Sequence, residues 1–145
     1  MPEINDIQNE IIEDFSLFDD WMEKYEYIID MGKNLPLIDE KYKTDDYIIK
    51  GCQSKVWLRA ERDGDRVNFY ADSDAVITKG IIALLIKVLS GQKSDQIATT
   101  DLYFIEKIGL KEHLSPTRSN GLVSMIKQMK YYGLGMESKI ANKNG

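Results

Sequence analysis

The sequence predicts an α+β domain in which a small three-stranded antiparallel sheet packs against several helices. Three observations carry that expectation. Apolar residues recur every three or four positions over residues 4–31, the period drops to two on either side of Asp63-Gly64, and a nearly all-apolar run fills residues 75–89.

In chain order, Ile4, Ile7, Ile11, Phe15, Phe18, Trp21, Tyr25 and Ile28 form the stripe of an amphipathic helix. The stretch is long for one helix, so two are expected, with a break near Asp14 to Leu17 and a cap at Ser16 or Asp19. Gly32 and Pro36 end it. Residues 37–46 show no period and read as a loop or a short helical turn. Val56, Leu58 and Ala60 then alternate with polar or larger residues, as do Val67, Phe69 and Ala71. The Asp-Gly between these runs predicts a hairpin. Tyr47-Ile48-Ile49 is the candidate third strand, which leaves Cys52 in the tight Gly51-Cys52-Gln53-Ser54 connection. Asp72, Ser73 and Asp74 offer caps for a helix from about Ala75 to Leu89, stopped at Ser90-Gly91. Ser94 and Asp101 look like caps of two short helices, the second ending at Gly109. Ser115-Pro116 opens a last helix to about Tyr132, with Leu122, Met125, Ile126, Met129 and Tyr132 on one face. Residues 136–145 are polar and are expected to form a flexible tail.

A chain of 145 residues, 43% hydrophobic and 30% charged, is long enough for a single domain over 1–145 and too apolar for a disordered one. One Cys excludes an internal disulfide; one Cys and one His exclude a structural zinc site or a cluster held by this chain alone. The net charge of −5 argues against nucleic-acid binding. That charge is uneven: residues 1–46 hold 14 acids and 4 bases, whereas residues 47–145 hold 10 acids and 15 bases. Met1, Pro2 and Glu3 begin neither a secretory signal nor a myristoylation site, and no apolar run reaches the length of a membrane span. A cytoplasmic protein with a reduced thiol is expected.

The strong nucleophile is Cys52. A thiol of ordinary pKa is only a few per cent thiolate near neutrality, so activation asks for nearby positive charge or donors. Lys50, Lys55, Arg59 and Arg118 are the candidates, and Gly51 permits a sharp turn that presents the sulfur. From composition alone, a lone cysteine is more often a small buried hydrophobe. His113 is a candidate base for Cys52, which would make a cysteine-nucleophile hydrolase, or else a local anchor of loop and helix. Asp72 and Asp74 are explained by capping without chemistry. Arg118 lies in the first turn of the last helix, where the macrodipole disfavours a cation, and that placement hints at an anionic partner.

Three separated motifs then resemble one family. G-C-Q-S-K-V-W at 51–57, A-D-S-D-A at 71–75 followed by Lys79-Gly80, and H-L-S-P-T-R-S-N-G-L at 113–122 look like the SufE family of sulfur-acceptor proteins. The run from Trp21 through Lys24-Tyr25-Glu26-Tyr27-Ile28-Ile29 to Leu35-Pro36 is similar to that family's N-terminal helix. The resemblance implies a SufE/IscU-like fold and a persulfide relay for iron–sulfur cluster assembly. Cys52 would take sulfur from a SufS-type cysteine desulfurase, stimulate that enzyme, and pass the sulfur to a SufB-type scaffold. Arg118 and His113 would assist as anion stabiliser or anchor. The pyridoxal phosphate would belong to the desulfurase, and this chain would bring no cofactor and bind no metal, nucleic acid or membrane. It would act as cosubstrate and activator more than as a stand-alone enzyme. A CsdE-type protein serving a different desulfurase is the sister reading. An IscU-type scaffold is disfavoured by the single Cys, and a plain interaction module with an inert Cys52 is the remaining alternative.

Overall fold

The computed structural model describes residues 3–144, with side chains through residue 135. Two helices open the chain, α1 (Ile4–Ser16) and α2 (Trp21–Lys33). The break falls at residues 17–20, a little later than expected, and the cap is Asp20, not Ser16 or Asp19. The Asp20 carboxylate accepts from the Glu23 amide at 2.9 Å, while Glu23 reaches back to the Asp19 amide. Such reciprocal pairing satisfies two amides that a helix start otherwise leaves open. Residues 37–46 contain a 3₁₀ turn at Glu40–Tyr42, and a second follows at Asp45–Tyr47.

The hairpin forms as expected. Strands β1 (Val56–Asp63) and β2 (Arg66–Ser73) pair from Val56↔Ser73 to Asp63↔Arg66. Gly64, with φ 62°, takes the first central position of the two-residue turn, where a side chain would be strained. Val56, Leu58, Val67, Phe69 and Ala71 are buried on one face. The third strand is not the expected one. Ile48 makes an isolated bridge to Trp57, and the strand beside β2 is the two-residue β3 (Gln92–Lys93), giving the order β1-β2-β3. Residues 45–47 are wound into 3₁₀ geometry and Gly51 turns the chain away, so the apolar run there has no length left to pair.

Helix α3 (Val76–Leu89) lies under the inner sheet face, with Ile81 to Ile86 all buried. It crosses α2 at contact: a Cβ on Gly80 would run into the Ile28 carbonyl, and one on Gly32 would come 3.1 Å from the Gly80 nitrogen. Only glycines allow this approach, and it draws α2 onto the core. Asp72, Ser73 and Asp74 do not cap α3 as expected: its N-cap is Ala75, without a side-chain cap bond, and the Ser73 hydroxyl accepts from the Ala75 amide at 3.2 Å. Short helices α4 (Ser94–Thr99) and α5 (Phe104–Lys107) follow. Ser94 and Asp101 do not cap them, since the N-cap residues are Lys93 and Tyr103.

The last helix, α6, spans Pro116–Asn144 and so runs past the expected end at Tyr132. The Ser115 hydroxyl accepts from the Arg118 amide at 3.3 Å, as the Ser-Pro start predicts. Leu122, Met125 and Met129 are buried, and Ile126 and Tyr132 pack partly against the core. Of the tail expected at residues 136–145, the backbone is helical to Asn144 and the side chains lie outside the described residues. Among the described residues no helix is long and apolar enough to cross a membrane.

Candidate functional site at Cys52

Cys52 stands on a loop whose two ends are fixed. At one end Ile49 is buried and its amide donates to the Val56 carbonyl at 2.8 Å. At the other, the Asp74 carboxylate accepts from the Lys55 amide at 3.1 Å, and the Lys55 carbonyl accepts from the Ser73 hydroxyl at 2.8 Å. The acid-rich stretch 72–74 therefore clamps the entrance to β1. Asp72 adds a cross-link of its own, with Lys43 at 2.6 Å and Lys79 at 3.4 Å. Partial burial works to raise the Asp72 carboxyl, but the Lys43 ammonium, the Ser73 amide and Lys79 outweigh it and hold the group below the usual carboxylate range.

Between those ends the tip leans on α6. Gly51, at φ 94°, passes so close to Ser124 that a Cβ there would collide with the hydroxyl. One turn earlier, a Cβ on Gly121 would meet the Cys52 sulfur at 3.5 Å. There the thiol donates to the Gly121 carbonyl at 3.6 Å. This is a weak bond, and it holds the protonated form. Cys52 is half-buried, and burial pushes its thiol up from the ordinary value. Cations do not set the titration in this arrangement.

Beside the sulfur opens a cleft of about 80 Å³ whose lining includes Thr78 and Ile81 of α3 and Thr117, Arg118, Gly121 and Met125 of α6. Its volume exceeds the roughly 30 Å³ share of one water molecule. Of the sequence candidates, Arg118 lines the cleft. Lys50 and Lys55 are exposed on either side of the tip. Arg59 is elsewhere, paired with Glu61 at 3.1 Å and stacked over Tyr42 on the outer sheet face.

His113 is not among the residues lining the cleft. Its ring stacks on Trp21, with centroids 3.8 Å apart and planes 14° from parallel, and its Nδ1 donates to the Gly109 carbonyl at 2.9 Å. The Tyr25 hydroxyl donates to the His113 carbonyl. These contacts tie His113 to Trp21, Tyr25 and Gly109, and none of them is to Cys52. Sequence reasoning missed Thr78, Ile81, Gly121 and Met125 as site residues. One signal was available for Gly121: a glycine inside a helix costs about 1 kcal/mol and calls for a packing reason. Among the described residues no group of three His, Cys, Asp or Glu is placed to hold a metal ion.

A family described as "SufE: Fe-S metabolism associated domain" matches residues 9–132. A SufE-like protein of Rhizobium meliloti (strain 1021) is 41% identical over 127 residues, covering 84% of this chain and 91% of its own. A second, from Rhizobium etli, is 42% identical over 127 residues, covering 84% and 86%. SufE-like protein 1, chloroplastic/mitochondrial, of Arabidopsis thaliana is 42% identical over 131 residues, which is 90% of this chain and 35% of that protein. The fold is shared with the solution structure of a hypothetical protein from Thermus thermophilus, with a TM-score of 0.76 at 17% identity over 91% of this chain and 96% of the other. The chain therefore belongs to the SufE family and to the sulfur-transfer side of iron–sulfur metabolism.

Proposed function

We propose that Cys52 is the persulfide site of a sulfur relay, loaded by a SufS-type cysteine desulfurase and unloaded to a SufB-type scaffold, in the cytoplasm. The observation that carries this reading is the setting of the sulfur. It lies at the tip of a loop clamped at both ends, held to α6 by one weak bond, over a cleft with room for another atom. A carried sulfur needs both states, sheltered in transit and reachable at handover.

In the sheltered state burial keeps Cys52 a thiol, and a thiol is a poor nucleophile. When the tip leaves Gly121, the sulfur gains water, its proton passes to solvent, and the thiolate attacks the outer sulfur of the desulfurase persulfide. One S–S bond forms on Cys52 as the desulfurase S–S bond breaks. The desulfurase cysteine leaves as a thiolate and takes up a proton, so the exchange involves no net oxidation. Arg118, which lines the cleft, stabilises the anionic outer sulfur of the Cys52 persulfide, and Ile81 and Met125 give the cleft an apolar side. Handover repeats the exchange in reverse, with an acceptor thiolate attacking the outer sulfur and Cys52 leaving. Pyridoxal phosphate remains with the desulfurase throughout.

The test is an intact mass taken without reductant after incubation with the desulfurase and free cysteine. Wild type is expected to gain one sulfur atom and Cys52→Ser none; no gain on wild type overturns the reading. Arg118→Ala is expected to slow loading about tenfold, the equivalent of about 1.4 kcal/mol, with an unchanged circular dichroism spectrum.

A further inference from the structure

Charge in this chain is sorted around the sulfur. Residues 47–60 and 113–135 hold six bases, Lys50, Lys55, Arg59, Arg118, Lys127 and Lys130, and no Asp or Glu; the rest of the chain carries a net −11. The fold brings these two acid-free stretches together at one place, through the Gly51–Ser124 and Cys52–Gly121 contacts. Two of the six are spent elsewhere: Arg59 pairs with Glu61, and Lys130 donates to the Thr100 carbonyl at 2.5 Å. The other four are exposed, and among the described residues none of Lys50, Lys55, Arg118 and Lys127 makes an ion pair. Lys50 and Lys55 flank the tip, Arg118 lines the cleft, and Lys127 lies one turn beyond Ser124. The clamp carboxylate of Asp74 is the acidic group bonded to this loop, and it offsets one of the four charges. The amide end of α6 adds a further positive field at the same spot.

Four unpaired cations around a thiol that is not itself activated by them call for another purpose. Burial alone raises the Cys52 thiol, so the charges do not serve its titration in the sheltered state. A local positive field on a protein of net charge −5 steers and orients a negatively charged surface while the acidic remainder repels it from the wrong faces. We infer that the face around Cys52 is a cationic docking surface for an acidic patch on the desulfurase, which is thereby delivered with its persulfide facing the tip. The inference rests on the proposed relay and specifies the chemistry of its partner.

Loading of Cys52 is measured by intact mass against time, below saturating desulfurase, at about 0.01 M and about 0.15 M ionic strength, between which the screening length falls from about 30 to about 8 Å. Desulfurase turnover with dithiothreitol alone is followed in parallel to correct for salt effects on that enzyme. Wild type is expected to load about tenfold slower at the higher salt. The double variant Lys50→Glu/Lys55→Glu is expected to load at least about tenfold slower than wild type at low salt and to lose or invert the salt dependence. Its alkylation by neutral iodoacetamide is expected to match wild type, showing that the thiol and the fold are intact. Salt-independent loading of wild type, or wild-type loading by the double variant, overturns the docking surface and leaves the relay standing. Wild type that takes no sulfur at either salt overturns the relay and this inference with it.

Discussion

Two irregular segments meet the last helix, and they are built for opposite purposes. Residues 109–115 lead into α6 and are pinned along their length. His113 stacks on Trp21 and bonds Gly109, Tyr25 bonds the His113 carbonyl, and Leu110 and Leu114 are buried. Residues 49–55 lie against α6 and are pinned at their ends, by Ile49–Val56 and by Lys55 with residues 73 and 74. Between those ends the Cys52 thiol makes one long sulfur bond. A segment fixed throughout acts as a strut. A segment fixed at its ends can release its middle at the cost of one weak bond and a little buried surface, without disturbing the sheet or α6.

The sharpest way to break that contrast is to remove the strut. Trp21→Ala deletes the surface on which His113 stacks, and a side chain that also packs against Tyr25 and lies beneath Lys24. A fully buried Trp lost this way costs about 3–5 kcal/mol, and Trp21 is partly exposed, so about 2 kcal/mol is expected in urea unfolding. Amide exchange should quicken from Leu110 to Leu114 while iodoacetamide alkylation of Cys52 changes less than twofold, about 0.4 kcal/mol. Faster alkylation than that would mean that the two segments move as one.

The second test acts on the other segment. Gly51→Ala places a methyl group where φ is 94° and where Ser124 already stands. The strain is expected to cost about 1 kcal/mol and to be relieved by lifting the tip from α6, because the ends are the stronger contacts. Cys52 should then alkylate about fivefold faster, with the exchange of residues 110–114 unchanged. An unchanged alkylation rate would show that the tip stays seated and that its release is not the low-cost motion described here.

Much of the strut and tip was legible in the sequence as position, and little of it as contact. Gly51-Cys52 in a turn, Ser115-Pro116 at a helix start and the Asp-Gly hairpin are local signals, set by residues within a few positions of one another. The stacking partner of His113 was not legible, since Trp21 is brought back from far upstream by packing α2 on α3. Asp72, Ser73 and Asp74 have the composition of a cap, yet Asp72 pairs with Lys43 and with Lys79 of α3, Asp74 accepts from the Lys55 amide, and the Ser73 hydroxyl is divided between the Lys55 carbonyl and the Ala75 amide. β3 escaped because two residues carry no period, and the Tyr47–Ile49 run was overread because a β-like composition says nothing of whether an edge is free to receive it. The family motifs located Cys52 and Arg118, and the structure adds Gly121 as the residue whose carbonyl accepts from the thiol.

The smallest expected effect separates the sheltered thiol from the released one by pH. Burial raises the Cys52 thiol in the folded protein above its unfolded value. For a group shifted in that direction, the stabilisation is whole below the unfolded pKa and is lost as pH rises through the folded one, because the unfolded chain gives up its proton first. Urea midpoints should therefore fall on the alkaline side in wild type, and that part of the decline should be missing in Cys52→Ser, which has no thiol to ionise. The alkylation profile gives the same sign by an independent route. Its midpoint should lie above the ordinary thiol value of about 8.5 in wild type and move back toward it in Gly51→Ala, where water reaches the lifted sulfur. A wild-type midpoint at or below the ordinary value would mean that the tip is already off α6 in solution, or that the cations around it reach the sulfur after all, and the strut and the tip would then differ in charge more than in mobility.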